Sequence, residues 1–228
     1  MRAANGSAID VLRDFRLSLQ AGRLAALLGP SGCGKTTFLK CIAGLDTDYD
    51  GHIALPQAAR LAFVFQEPRL LPWRTVEENI RLAAPDAGAK DIDQLLETLH
   101  LSGHRRHFPG ELSLGLARRV SLARAFAVKP DLLLLDEPFV SLDATLAGEM
   151  RAELKSLLAR QPVTALLVTH DVAEAAELAD KVCLLSPRPA GIIAEFDIAR
   201  PREHRSVADA ADIAADIAAR MAGPPSRA

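Results

Sequence analysis

An α/β fold with a mostly parallel sheet covered on both faces is what this sequence predicts, on three observations. Short apolar runs at Leu24 to Leu28, Leu61 to Phe65, Leu132 to Leu135 and Ala165 to Val168 read as strands buried on both faces. Each run is followed by helix signals, the rhythm of alternating strands and helices that builds a parallel sheet. The chain has 228 residues, enough to bury one substantial core as one domain with subdomains. In such sheets ligands sit beyond the carboxyl ends of the strands. The residues to watch are therefore Gly29, Gln66, Asp136 and His170.

Between Phe65 and the Leu132 strand the pattern turns helical. Thr75 and Glu78 have the spacing of a capping box, a helix is expected near Ile92 to Leu99, and another from Leu114 to Val128. This stretch, about 73–118, reads as a helical subdomain inserted in a core of about 1–72 and 119–200. A tail helix over about 206–222 starts at the cap Ser206, carries Asp209, Ile213, Ile217 and Met221, and stops at Gly223-Pro224.

Composition excludes several classes. Hydrophobic residues make up 49% and charged residues 25%, with a net charge of -2, which fits neither disorder nor a general pull toward nucleic acid. Cys33, Cys41 and Cys183 lack metal-ligand spacing and leave an odd number for pairing, which suits a reducing compartment. No apolar run approaches the roughly 18 residues a membrane helix needs, and Met1 to Gly6 lacks the apolar stretch of a signal peptide. Any attachment to a membrane is expected to come through a partner.

Gly29-Pro30-Ser31-Gly32-Cys33-Gly34-Lys35-Thr36 fits the phosphate-loop pattern, directly after a strand and before the helical run that opens at Thr37. Small residues let backbone N–H groups converge on phosphate oxygens at a helix N-terminus, where the dipole already favours an anion. Lys35 adds a full positive charge, and the Thr36 hydroxyl is a Mg2+ ligand in this pattern. A second signal is the apolar strand Leu132 to Leu135, which ends in Asp136-Glu137-Pro138. A buried strand has no structural need for adjacent carboxylates at its tip. Asp136 is expected to hold Mg2+ through water, and Glu137 to polarise the attacking water as general base.

With Gln66 after its strand, Ser141-Leu142-Asp143 after the acid pair, and His170 within Val168-Thr169-His170-Asp171, the chain resembles the ABC ATPase family over roughly residues 10–200. The resemblance implies a P-loop NTPase core with a helical subdomain, binding ATP and Mg2+. It implies that Gln66 touches Mg2+ and senses the membrane subunit, that Asp143 lies at a dimer seam, and that His170 contacts the γ-phosphate. The other histidines, His52, His100, His104, His107 and His204, match no family motif, and Arg105-Arg106 reads as a solvated basic face.

Two departures stand out. The family signature is usually Leu-Ser-Gly-Gly-Gln, whereas this chain has Leu112-Ser113-Leu114-Gly115-Leu116. In ABC dimers this segment reaches the nucleotide on the opposite phosphate loop, and Ser113 and Gly115, the groups best placed for that contact, remain. The second departure concerns the aromatic residue that the family places before the phosphate loop to stack on adenine. Phe15 is the only aromatic before Gly29, and it is expected to pack in the sheet. Either the true start lies upstream of Met1, or phosphate contacts supply most of the affinity.

Phe65 to Val76, with Pro72-Trp73-Arg74 inside it, and Leu185-Ser186-Pro187-Arg188-Pro189 resemble the nitrate/sulfonate/taurine branch of bacterial importers. The resemblance implies a second ATPase subunit, two membrane-spanning permease subunits, and a periplasmic or lipid-anchored solute-binding protein engaged indirectly. The chain would then lie peripherally on the cytoplasmic face of the inner membrane. Trp73 would face the permease, the competing reading being a buried core tryptophan. Rival functions are an exporter ATPase, a non-transport ABC ATPase and a simple P-loop kinase. Fewer than 50 residues separate Gln66 from Ser113, which leaves no room for the long coiled coil of chromosome-type members.

Overall fold

The structure, a computed structural model, describes residues 10–222. In chain order its elements are β1 (Leu24–Leu28), α1 (Lys35–Ile42), β2 (Leu61–Val64), α2 (Val76–Ala83), α3 (Ala89–Thr98), α4 (Leu114–Ala127), β3 (Leu132–Asp136), α5 (Ala144–Arg160), β4 (Thr164–Thr169), α6 (Val172–Leu178), β5 (Lys181–Leu185), β6 (Ile192–Asp197) and α7 (Val207–Ala222). They fall into two compact units, one made of 1–55 and 165–228, the other of 56–164.

In the first unit β1 is the central strand, paired in parallel with β4 on one side and β5 on the other, and β6 runs antiparallel on the far side of β5. All five residues of β1 are buried, because helices or chain cover both of its faces, as the continuous apolar run predicts. Leu39 of α1, Ala175 and Leu178 of α6, and Ile217 of α7 complete this core. β5 and β6 are strands that the sequence pattern does not announce. β5 follows α6 after only Ala179 and Asp180, and β6 is largely exposed, so it carries little of the apolar signal that marks a buried strand. Asp180, just before β5, ties this strand's start to β1 and to the chain beyond β6: its Oδ2 accepts from Leu24 N at 2.8 Å and from Arg202 Nη1 at 2.6 Å.

The tail helix starts as expected. Ser206 Oγ accepts from Asp209 N at 3.2 Å, while Asp209 Oδ2 accepts from Ser206 Oγ at 2.7 Å and from Ser206 N at 2.9 Å, and these two bonds to the carboxylate pull Asp209 down to about 2. The stop read at Gly223-Pro224, like Met1 to Gly6, lies outside the described residues. All three cysteines are buried and free, and burial pushes the Cys183 thiol up to about 11.

The second unit holds β2 and β3, paired in parallel from Leu61↔Leu132 to Val64↔Leu135, with α2, α3, α4 and α5. α4 is its hub, with Val120, Leu122, Ala123 and Phe126 fully or almost fully buried. Thr75 and Glu78 form the capping box of α2, as their spacing predicts. The basic run is not a solvated face at Arg105: this half-buried residue pairs with Glu77 at 2.9 Å and also with Asp93, tying the turn before α4 to α2 and α3. No helix among the described residues is long and apolar enough to cross a membrane.

Candidate active site

In the first unit, Gly29 to Gly34 leave the carboxyl end of β1 and pass directly into α1, whose N-cap is Gly34. Gly34 has φ 126°, and a Cβ there would lie 2.6 Å from Val11 Cγ1, so both backbone angle and space demand glycine. Gly29 is equally confined, with a built Cβ 2.9 Å from Leu185 Cβ. The Lys35 ammonium is buried and donates to the carbonyls of Gly29 at 2.8 Å and Pro30 at 3.1 Å. It is therefore held inside the curl of the loop. Pro30, Ser31 and Gly32 are exposed, Cys33 is buried, and Thr36 and Thr37 on the first turn of α1 are half-buried.

His170 belongs to the same neighbourhood. The β1–β4 register pairs Leu28 with Thr169, so Gly29 and His170 emerge side by side at the carboxyl ends of adjacent parallel strands. The base beneath His170 is rigid: buried Thr169 Oγ1 donates to Glu174 Oε2 at 2.6 Å and accepts from Asp171 N at 2.9 Å, and Asp171 caps α6 through Ala173 N at 2.7 Å. His170 itself is exposed.

In the second unit the pairing of Val64 with Leu135 brings Gln66 and the Asp136-Glu137 pair to the same end of β2 and β3. Gln66 is exposed, whereas Asp136 is buried at the last position of its strand. Glu137 turns left-handed at φ 45°, unusual for a residue with a side chain of its size, and the next carbonyl, that of Pro138, accepts a buried 2.8 Å bond from Arg118 Nη1 on α4. The turn that aims Glu137 is thus pinned from α4. Gln66 and Asp136, at the same end of β2 and β3, each offer an oxygen ligand, the kind a hard cation such as Mg2+ prefers.

The altered signature opens α4. Ser113 is exposed and caps the helix, its Oγ accepting from Leu116 N at 3.3 Å. Leu114 is 45% exposed, while Gly115 is buried. A Cβ on Gly115 would lie 2.5 Å from Leu146 Cδ2 of α5, so this glycine also has a packing role that the sequence did not disclose. Exposed Asp143 caps α5 by accepting from Leu146 N at 3.0 Å. Signature and Asp143 loop are therefore joined through Leu146.

Trp73 is 69% exposed, which removes the core reading. The loop that carries it is nevertheless tightly held. Fully buried Asn79 on α2 donates from Nδ2 to the carbonyls of Leu71, Arg74 and Thr75 and accepts from Leu71 N at 2.8 Å. Arg124 on α4 donates to the carbonyls of Pro68 and Arg69, each at 2.9 Å, and burial lowers its guanidinium from the ordinary value. Arg69 in turn lies over the Phe65 ring, 4.1 Å from its centroid. Asn79, Arg118 and Arg124 all escaped sequence reading, because a polar residue inside a helix gives no local sign that it will brace a distant loop. The placement of Phe15 also needs correction: it packs on Phe38 of α1, ring centroids 4.2 Å apart, and its segment makes only an isolated bridge, Leu12 to Ala190.

A phosphate loop at the tip of a central parallel strand, opening a helix through an obligatory glycine, defines a P-loop nucleotide-binding protein. The particular family follows from comparison: the ABC transporter family profile matches residues 12–140, and the chain belongs to that family. It is thus an ATP-binding ABC ATPase. Over 198 residues it is 46% identical to the aliphatic sulfonates import ATP-binding protein SsuB 2 of Pseudomonas syringae pv. tomato, covering 86% of this chain and 85% of the relative. A Bacillus licheniformis SsuB protein of the same description is 40% identical over 209 residues, covering 86% and 82%. Among solved structures it superposes with a dimeric ATP-binding cassette in a post-hydrolysis state bound to ADP and Pi, with TM-score 0.70 and 27% identity, covering 84% of this chain and 92% of that one.

Proposed function

We propose that the chain is the ATP-hydrolysing subunit of an ABC importer whose solute is a small sulfonate-type anion, and that it works as a pair bound to two membrane-spanning permease subunits. The observation that carries the nucleotide part is the emergence of Gly29 and His170 side by side at adjacent strand ends, with buried Lys35 inside the loop. The solute and the permeases are inferred from the relatives named above, as is the location on the cytoplasmic face of a bacterial inner membrane. A periplasmic or lipid-anchored solute-binding protein completes the system. The stretch of about 73–118 acts as the helical subdomain that meets the permeases.

In this reading the backbone N–H groups of Gly29 to Thr37 cradle the phosphates, Lys35 neutralises their charge, and His170 contacts the γ-phosphate. Thr36, Gln66 and Asp136 would hold Mg2+, which supplies charge neutralisation at the phosphates. Glu137 accepts the proton of the attacking water. Ser113 and Gly115 of each chain face the nucleotide of the other, and Asp143 lies at the seam. ATP drives closure only because it binds the closed pair more tightly than the open one. Nucleotide binding by the purified chain, with and without Mg2+, is the direct test, and absence of Mg2+-dependent binding would sink the proposal.

Two further outcomes are expected. Leu114 and Leu116 stand where the family signature has glycine and glutamine, so turnover is slow. Purified transporter with Leu114→Gly and Leu116→Gln should hydrolyse ATP faster, by up to about 10²-fold if one well-aimed transition-state donor is restored. A double variant no faster than the parent would remove that explanation. Trp73, exposed on a braced loop, behaves as an interface anchor: Trp73→Ala should weaken association with the permeases by about 30-fold, the loss typical of an aromatic hot spot. Titration of detergent-solubilised permease with labelled subunit reads this directly, and an unchanged dissociation constant argues for a different docking surface.

A further inference from the structure

We propose that Arg188 is a second cation of the phosphate loop, besides Lys35, and sets affinity according to the number of phosphates on the nucleotide. The inference rests on the reading of Gly29 to Thr36 as the ATP site and adds a residue that this reading does not use. Arg188 Nη2 donates to the Gly32 carbonyl at 2.7 Å, across 156 positions of sequence. Gly32 lies at the exposed outer arm of the loop with φ 76°, and a Cβ built there meets nothing within 4 Å. Packing does not hold this arm, so a charge-assisted bond to its carbonyl is a substantial constraint.

The segment that presents Arg188 is itself fixed. Ser186 N donates to Gly191 O at 3.0 Å, and Ser186 Oγ accepts from Gly191 N at 3.0 Å, closing a short loop around Pro187, Arg188 and Pro189. Its base is tied to the chain before β1 by Ala190 N to Val11 O at 2.9 Å and Arg13 N to Ala190 O at 3.0 Å. Val11 and Leu12 are the same side chains that press on Gly34 at the other end of the phosphate loop. The Arg188 segment and the loop are thus held together at two points, one through Gly32 and one through Val11 and Leu12.

The chemistry follows from the guanidinium. It remains exposed, it always carries its charge, and the Gly32 bond engages one nitrogen of a planar fork with five N–H donors. Capacity remains for a phosphate oxygen. A charge one hydrogen bond away from the loop lies well within the screening length of about 8 Å at physiological salt, so it attracts a triphosphate more than a monophosphate.

The test measures Mg2+-dependent dissociation constants of ATP, ADP and AMP for the full chain and for Arg188→Gln and Arg188→Lys, at two salt concentrations, alongside thermal midpoints. Arg188→Gln should weaken ATP about tenfold, ADP less, and AMP within about twofold, with a shallower salt dependence, and Arg188→Lys should recover most of the ATP affinity because the charge is kept. Unchanged ATP affinity in Arg188→Gln overturns the proposal. So does an equal loss for all three nucleotides accompanied by a lower thermal midpoint, which would make the contact structural alone. Failure of the parent itself to bind ATP would instead strike the reading of the loop as a nucleotide site, and the inference with it.

Discussion

Replacing Glu137 by glutamine should lower ATP hydrolysis by about 10² to 10⁴-fold, the range for loss of a positioned general base, while ATP binding stays within a few-fold of the parent. The separation is expected because Glu137 lies outside the phosphate loop and the substitution keeps side-chain size. Backbone geometry should survive as well. Glu137 has φ 45°, and glutamine is neither β-branched nor bulkier, so the turn pinned by Arg118 on the Pro138 carbonyl accepts it. Phosphate release and equilibrium nucleotide binding, measured on the same preparation, check both halves. Hydrolysis within threefold of the parent would show that another group activates the water.

The second large effect is on stability. Arg119 on α4 and Glu153 on α5 form a pair whose side chains are 10% and 7% exposed. Nε donates to both Glu153 oxygens at 3.0 Å, and Nη2 reaches Glu149 Oε2 at 3.0 Å. Burial pulls the Arg119 guanidinium down, yet the hydrogen bonds and charges of Glu153 and Glu149 outweigh it and hold the group above its ordinary value. Glu153→Ala leaves that cation buried with only the half-exposed Glu149, and the usual cost of such a break is about 3–5 kcal/mol. The remaining partner places the expectation at the lower end. At about 2–4 °C per kcal/mol for a chain of this size, the thermal midpoint should fall by roughly 6–12 °C. The double variant Arg119→Met with Glu153→Leu should recover most of the loss, because burying an ion pair gains little over burying apolar groups. A single variant that melts with the parent would show that the pair is not desolvated in solution.

Much of the site was legible because its chemistry is local. Eight consecutive residues from Gly29 to Thr36 carry the phosphate loop, and the φ of 126° at Gly34 calls for glycine from the loop's own backbone. The apolar runs of β1, β3 and β4 were equally legible, since a strand covered on both faces must be apolar throughout; β2 is apolar too, although its Leu61 and Phe63 are only half-buried. His170 is legible for the same reason: it directly follows the run of β4, which ends at Thr169. β6 leaves no such sign, because an exposed edge strand has no such requirement and its pattern blurs into loop.

Residues that act at long range were invisible before folding. Arg118 holding Pro138, Arg124 holding Pro68 and Arg69, Asn79 holding the Trp73 loop, and Arg188 at Gly32 are all polar side chains that donate to backbone carbonyls. A carbonyl has no sequence identity, so no residue pattern announces it as a partner. Trp73 illustrates the same division: its neighbours suggested importer character, but only packing could say whether an indole is core or surface. Composition and consecutive motifs sufficed for the α/β class, the phosphate loop and the acid pair. The braces that aim those groups, and the exposure that makes an anchor of Trp73, arise from contacts between segments far apart in the chain, where burial decides which polar group must find a partner.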